Sequence, residues 1–219
     1  ATTGAFTSTL DVDGTTTTDG ITNAGNFSTD GGTIKLDGNF PTGTNNVALG
    51  DAALGGGSLS GGSNVAIGTS ALDANTSGTT NIAIGVNALG ANTTASDNVA
   101  VGHSALKVNT TGALNTAVGY EALDANTTAS NNTAVGYAAL TANTTGANNT
   151  ALGANALDAN TTGSDSVSVG WNSLTTNTTG ANNVAVGQSA LGLNTTGASN
   201  VAIGKSALAA NTTASNNTA

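Results

Sequence analysis

The sequence predicts an all-β protein, a parallel β-solenoid (β-roll) built from about ten 17-residue coils. Two observations carry this prediction: a glycine recurs at an almost fixed interval from residue 50 onward, and a leucine always follows it by four positions. A unit of this length is too short to fold alone, and too short for a helix-turn-helix repeat. Each unit therefore has to stack on its neighbours and share one continuous core with them.

The repeat keeps its phase across ten units. After a first step of 18, every later step between the recurring glycines is 17: Gly50, Gly68, Gly85, Gly102, Gly119, Gly136, Gly153, Gly170, Gly187 and Gly204. The leucine is unchanged in all ten units: Leu54, Leu72, Leu89, Leu106, Leu123, Leu140, Leu157, Leu174, Leu191 and Leu208. A disordered linker would not be expected to keep such a regular spacing.

An asparagine follows the leucine by three positions in nine of the ten units, and Gly57 takes that position in the first. The nine are Asn75, Asn92, Asn109, Asn126, Asn143, Asn160, Asn177, Asn194 and Asn211. Stacked amides hydrogen-bond to one another or to the turn backbone. We therefore expect a structural ladder of asparagines, together with glycines that supply left-handed backbone angles.

Each recurring glycine ends a short run such as NVAVG, NIAIG or NTAVG. Alternation of β-branched and small residues predicts a strand. Within Val184–Val186 the two valines share one side and Ala185 takes the other. We expect the branched pair to face inward with Leu191, leaving alanine outward. A uniformly small outward face favours close packing against other copies of the chain in a cyclic oligomer. The alternative is a narrow coil that turns small residues to water.

The first 45 residues do not share this period. They contain short alternating runs broken by Asp-Gly and Gly-Gly turns, which predicts an irregular, β-rich shaft or connector over residues 1–45. Pro41 marks the junction, because proline is poorly suited to a central strand. Residues 46–219 form the predicted solenoid, which stops inside its last repeat.

Composition excludes several classes of function. The net charge is −9, with three lysines and no arginine, which argues against nucleic-acid binding. No apolar run approaches the ~20 residues of a membrane span, so we expect no membrane insertion. The chain has no cysteine, and DVDG at 11–14 lacks the rest of a calcium-binding loop. With scattered aspartates and a convex rod, we expect no catalytic residues, no metal, no cofactor and no enzyme activity.

One position could serve recognition. The residue after the recurring glycine is variable, and four units place a ring there: His103, Tyr120, Tyr137 and Trp171. These rings would line one exposed edge, where they could stack on sugars or fill a partner's pocket. The alternatives are a solvated His103 and aromatic rings that pack across a subunit seam.

The strand motifs NNVAIG, NIAIG, NTAVGYEAL and NTAVGYAAL resemble the head repeats of trimeric autotransporter adhesins. They are even more similar to the repeat arrays of bacteriophage tail fibres, and the LDVDGTTTTDGITNAGN segment resembles shaft repeats of such fibres. The resemblance covers about residues 45–219. It implies a left-handed parallel β-roll in which three chains pack side by side. The 17-residue unit is longer than the adhesin repeat, and the extra residues fall around NTTG.

The resemblance implies a structural fibre of a phage tail or another virion appendage, a stiff homotrimeric spacer that carries or contributes to host-receptor binding. Its partners would be two further copies of the chain, other virion or tail proteins and host surface polysaccharide. The alternative is the head of a trimeric autotransporter adhesin on a bacterial cell surface, which binds host or matrix glycans or proteins.

Overall fold

The computed structural model describes residues 45–56 and 60–219. This part of the chain is all-β and contains no helix. The ten strands are three residues each: β1 (Val47–Leu49), β2 (Val65–Ile67), β3 (Ile82–Ile84), β4 (Val99–Val101), β5 (Thr116–Val118), β6 (Thr133–Val135), β7 (Thr150–Leu152), β8 (Val167–Val169), β9 (Val184–Val186) and β10 (Val201–Ile203). Each coil is numbered here by the strand that it carries.

The strands form one parallel sheet in sequence order, from β1 to β10. Each strand pairs with the next in a register that sets equivalent residues side by side, as Val99 with Thr116 and Val101 with Val118. The chain therefore advances by one strand per coil and makes about nine turns of a parallel β-solenoid. The predicted β-solenoid is confirmed over the described residues. The shaft predicted over residues 1–45 lies outside them, except for Asn45.

The two faces of the sheet are the reverse of the sequence-based expectation. The central alanine of the strand faces inward and is fully buried, as at Ala100, Ala117 and Ala134. The branched residues on either side face outward, and Ile82 and Ile84 remain 38% and 36% exposed. The expectation of an inward valine pair was wrong, and so was the argument for an oligomer from an outward alanine face.

The width of the coil explains this reversal. The wall opposite the strand contributes a second alanine and the recurring leucine, such as Ala122 and Leu123, both fully buried. One leucine and two alanines fill the cross-section, because protein interiors are close-packed and leave no room for extra methyl groups. A branched residue in place of Ala117 would overfill the coil. The leucine was correctly placed inside, where each contributes about 1.5–3 kcal/mol of burial.

Tight turns bring the second wall close to the strand. The recurring glycine has a positive φ, +140° at Gly119, and a Cβ built there would overlap the backbone of Gly136 in the next coil. The core leucine also has a positive φ, 53° at Leu123. That conformation costs a side-chain-bearing residue about 1–2 kcal/mol. It is held by burial and by the Leu123 N–H, which donates to the carbonyl of Ala139 at 3.1 Å.

Candidate functional site

The asparagine ladder occupies one end of the interior. Asn126 is fully buried; its Nδ2 donates to Asn109 Oδ1 at 2.8 Å and to the Ala129 carbonyl at 3.0 Å. Its own Oδ1 accepts from Asn143 Nδ2 at 3.1 Å. Buried polar groups are tolerated only when they are hydrogen-bonded, and these amides satisfy one another from coil to coil. The arrangement is structural, and it leaves no side chain of this row facing a ligand.

A second buried amide row, which the sequence analysis did not single out, lies just before each strand. The N–H of Asn132 donates to Asn115 Oδ1 at 3.0 Å, and Asn132 Nδ2 donates to the Gly146 carbonyl at 3.0 Å. Ser166 replaces asparagine once, and its Oγ accepts from the N–H of Asn183 at 3.2 Å. The recurrence of asparagine before the β-branched run was the signal that could have revealed this row.

The exposed rings form a column at the corner where each strand ends. His103, Tyr120 and Tyr137 stack in successive coils, with ring centroids 5.2 Å and 5.4 Å apart and planes within 11° and 7° of parallel. The glycine before each ring fixes this corner, and the coil repeat sets the spacing because neighbouring strands lie about 4.8 Å apart. The structure thus brings three of the four predicted rings together.

Trp171 occupies the same corner but is separated from Tyr137 by one coil, in which the ring is replaced by Ala154. Backbone hydrogen bonds hold Tyr137, Ala154 and Trp171 in register from coil to coil. The Asn155 N–H donates to the Tyr137 carbonyl at 2.9 Å, and the Asn172 N–H donates to the Ala154 carbonyl at 3.1 Å. Tyr137 and Trp171 are 57% and 53% exposed, against 44% for Tyr120 inside the stack. The column therefore has one vacant ring position.

Acidic groups lie beside this column. The Glu121 carboxylate lies near the Tyr120 hydroxyl, and its ability to accept a hydrogen bond together with its negative charge raises the pKa of Tyr120. Burial raises the pKa of Asp124, an effect increased by Glu121 and opposed by the nearby Lys107 and His103 side chains. Oδ1 of Asp124 is buried without a hydrogen-bond partner.

A comparison of two coils explains the unpaired Asp124 oxygen. In coil 7, Asp158 Oδ1 accepts from Thr175 Oγ1 of the next coil at 2.6 Å. Asp124 also has a threonine one coil further on, Thr141, but its Oγ1 donates to the Glu121 carbonyl at 2.5 Å. Asp124 therefore lacks the threonine hydroxyl that Asp158 has, and its Oδ1 is left unpaired.

The remaining surface offers shallow grooves. One lies where Gly192 follows the core leucine in place of a larger residue, and its walls include Leu193, Thr175 and Ala209. Among the described residues, no group of three or more His, Cys, Asp or Glu side chains is placed to hold a metal ion. No helix suited to crossing a membrane occurs in the same residues.

Comparison with known proteins identifies no relative of this chain. No protein-family model matches it, and no significant match was found among curated proteins or among solved structures. The functional assignment therefore rests on the geometry described above and on the motif resemblance.

Proposed function

We propose that the chain is a structural fibre segment of a phage tail or another virion appendage, a stiff homotrimeric spacer that contributes to host attachment. The observation that carries the proposal is the outer face of the sheet. Two rows of side chains cover it, and the row at the third strand position is aliphatic in all ten coils: Leu49, Ile67, Ile84, Val101, Val118, Val135, Leu152, Val169, Val186 and Ile203.

This face is unlike a solvated one. A solvated sheet face alternates polar and charged residues with the core positions, whereas here the polar residues are three threonines in the first row, Thr116, Thr133 and Thr150. Ten strands of three residues make a strip of about 10 by 43 Å, or about 430 Å². A strip of this size lies within the range of about 300–600 Å² found for the largest apolar patch of a typical monomer, and such patches are often functional.

A second and third copy of the same chain suit this strip. Its straight, regular rows repeat with the coil, so an identical neighbour matches them along the whole length. The strip supplies about half of the ~800 Å² per partner of a standard interface, so the contact extends onto the flanking turns. Stiffness follows from the continuous backbone and amide ladders, which give a spacer whose length is set by its number of coils.

Sedimentation equilibrium of the full chain tests the assembly. We expect a species of three times the 20.7-kDa chain mass that persists on dilution. The double variant Ile82→Lys/Ile84→Lys places charges on the strip and should dissociate it, while Thr111→Lys/Thr128→Lys, at exposed turn positions, should not. A monomeric wild-type protein, or a trimer that persists in the Ile82→Lys/Ile84→Lys variant, would contradict the proposal.

The alternative function, the head of a trimeric autotransporter adhesin, uses the same rod and is favoured by the NVAIG-type strand motif. The complete gene separates the two. A self-cleaving chaperone domain encoded after the repeats supports the fibre, and an outer-membrane anchor supports the adhesin.

A further inference from the structure

We propose that the vacant ring position at Ala154, between Tyr137 and Trp171, is a binding slot for one pyranose ring of an uncharged polysaccharide. This inference deepens the host-attachment part of the proposed function and rests on it for the source of the sugar. The slot itself is a property of a single chain, formed by residues of coils 6, 7 and 8.

The first argument is the periodicity of the column. His103, Tyr120 and Tyr137 show that each coil accommodates one ring, at 5.2–5.4 Å per step. Coil 7 continues the backbone in register but contributes only a methyl group at this position, from Ala154. The Tyr137 and Trp171 positions are two coil steps apart, so a six-membered ring over Ala154 would lie one step from each of them.

The second argument is the exposure of the rings on either side. Tyr120, with a ring on both sides, is 44% exposed, whereas Tyr137 and Trp171 are 57% and 53% exposed. Aromatic faces carry negative partial charge and attract the C–H groups of an apolar surface. One face of a pyranose is such a surface, because its ring C–H groups lie on it while its hydroxyls project from the edge.

The third argument is a pair of amides next in sequence to the residues of the slot. Asn155 and Asn172 follow Ala154 and Trp171 directly, and Asn155 Nδ2 donates to Asn172 Oδ1 at 3.3 Å. An amide has two N–H groups and a carbonyl, so this single bond leaves hydrogen-bonding capacity for hydroxyl groups.

Charge decides between a sugar and the other flat ligands that stack on aromatic rings. A nucleic acid would bring phosphates to a chain of net charge −9 with no arginine, which disfavours it. An uncharged, hydroxyl-bearing ring meets no such repulsion, and the amides of Asn155 and Asn172 suit its hydroxyls.

Trp171 is the single tryptophan of the chain, so its fluorescence reports on the slot directly. The full chain is titrated with cellohexaose, maltohexaose and chitohexaose. We expect a saturable change in Trp171 emission with at least one of them. The variant Ala154→Leu fills the slot without removing either ring and should weaken that sugar about tenfold or more, a loss of the size that one stacking contact supplies.

The matched control is Thr69→Leu, which introduces the same side chain at the equivalent exposed position of coil 2 and should leave the affinity unchanged. No saturable change with any of the three sugars overturns the proposal, and so does unchanged affinity in Ala154→Leu.

Sedimentation of the same samples separates this inference from the proposed function. A stable trimer that binds none of the sugars overturns the slot alone, and a monomer that binds one of them overturns the assembly alone. If Ala154→Leu dissociates the trimer, a side chain of a sister subunit fills the slot, and the sugar proposal is wrong.

Discussion

The Ser168 and Ser173 hydroxyls meet inside coil 8, at the two interior positions that the neighbouring coils fill with alanine. Both serines are fully buried; their Oγ atoms are hydrogen-bonded to each other, and Ser168 Oγ also donates to the Ser173 carbonyl at 2.8 Å. The equivalent pair in coil 7 is Ala151 and Ala156. The two substitutions therefore form one unit, because the two buried hydroxyls are hydrogen-bonded to each other.

A double-mutant cycle tests this pairing. Ser168→Ala should destabilise the protein by about 1–3 kcal/mol, because it leaves the buried Ser173 hydroxyl without a partner. Ser173→Ala should cost less, because Ser168 Oγ keeps its hydrogen bond to the backbone carbonyl of residue 173. The double variant should lie close to wild type, since it restores the alanine pair of the other coils. Urea unfolding midpoints give the comparison, and additive losses would refute the pairing.

The face assignment can be tested at adjacent residues. Ala117→Val adds two methyl groups to the filled interior and should cost about 1–3 kcal/mol. Thr116→Val adds an apolar group to the outer face and should be close to neutral. Thermal unfolding of the two variants distinguishes them, and equal effects would mean that both residues have similar surroundings.

The buried amide ladder should matter most in its middle. Asn126→Ala removes a side chain with hydrogen bonds to Asn109, Ala129 and Asn143 and should cost about 2–4 kcal/mol, since partners on both sides lose their bonds. Asn211 is partly exposed and bonds to one neighbouring amide, Asn194, so Asn211→Ala should cost about 1 kcal/mol or less. Urea denaturation of both variants measures the difference.

Alanine substitutions at two glycines distinguish the cost of backbone strain from the cost of steric overlap between coils. Gly204 has a φ of +129° with no atom within 4 Å of a built Cβ, so Gly204→Ala should show the strain alone, about 1–3 kcal/mol. At Gly119, φ is +140° and the Cβ would also collide with Gly136. Gly119→Ala should therefore lower the melting temperature more than Gly204→Ala, and the reverse order would argue against the close approach of the coils.

The raised pKa of Asp124 predicts that the stability of the protein depends on pH. Its pKa is raised in the folded protein, so its contribution to stability is present below the unfolded pKa and is lost as pH rises through the folded pKa. Asp124→Asn should raise the melting temperature more at pH 7 than at pH 3, because the destabilising charge of the wild-type carboxylate develops as pH rises through its raised folded pKa. Asp158→Asn is the control, because Asp158 already accepts a hydrogen bond from Thr175. An equal gain at both pH values would exclude the charge as the cause.

The repeat, the strands and the inward leucine could be predicted from the sequence because each follows from spacing, and a strict 17-residue period permits few arrangements. The side of the strand that faces inward could not be read from Val-Ala-Val, because both faces of the strand are uniform in composition. The choice depends on the width of the coil, which is set by left-handed turns at residues such as Leu123 and Ser104 that have no sequence signature.

The candidate site was predictable to a similar degree. The shared corner of His103, Tyr120, Tyr137 and Trp171 follows from their common place after the glycine, and the structure brings the first three into one stack. The vacancy at Ala154 depends on which coils carry rings, and it becomes visible only when the backbone register is known. The Ser168–Ser173 pair could not be predicted, because the sequence does not show which two walls of the coil face each other.

The first asparagine row points one way. From Asn92 onward, each Nδ2 of this row donates to the asparagine of the preceding coil, as Asn126 does to Asn109 and Asn194 to Asn177. In the second row the backbone N–H of Asn132 donates back to Asn115, but its Nδ2 donates forward to the Gly146 carbonyl. Backbone dipoles in the sheet alternate and nearly cancel, but the side-chain dipoles of the first row add. The stack of coils is thus electrically asymmetric along this row, with amide N–H groups directed toward the low-numbered coils and amide carbonyls directed toward the high-numbered coils.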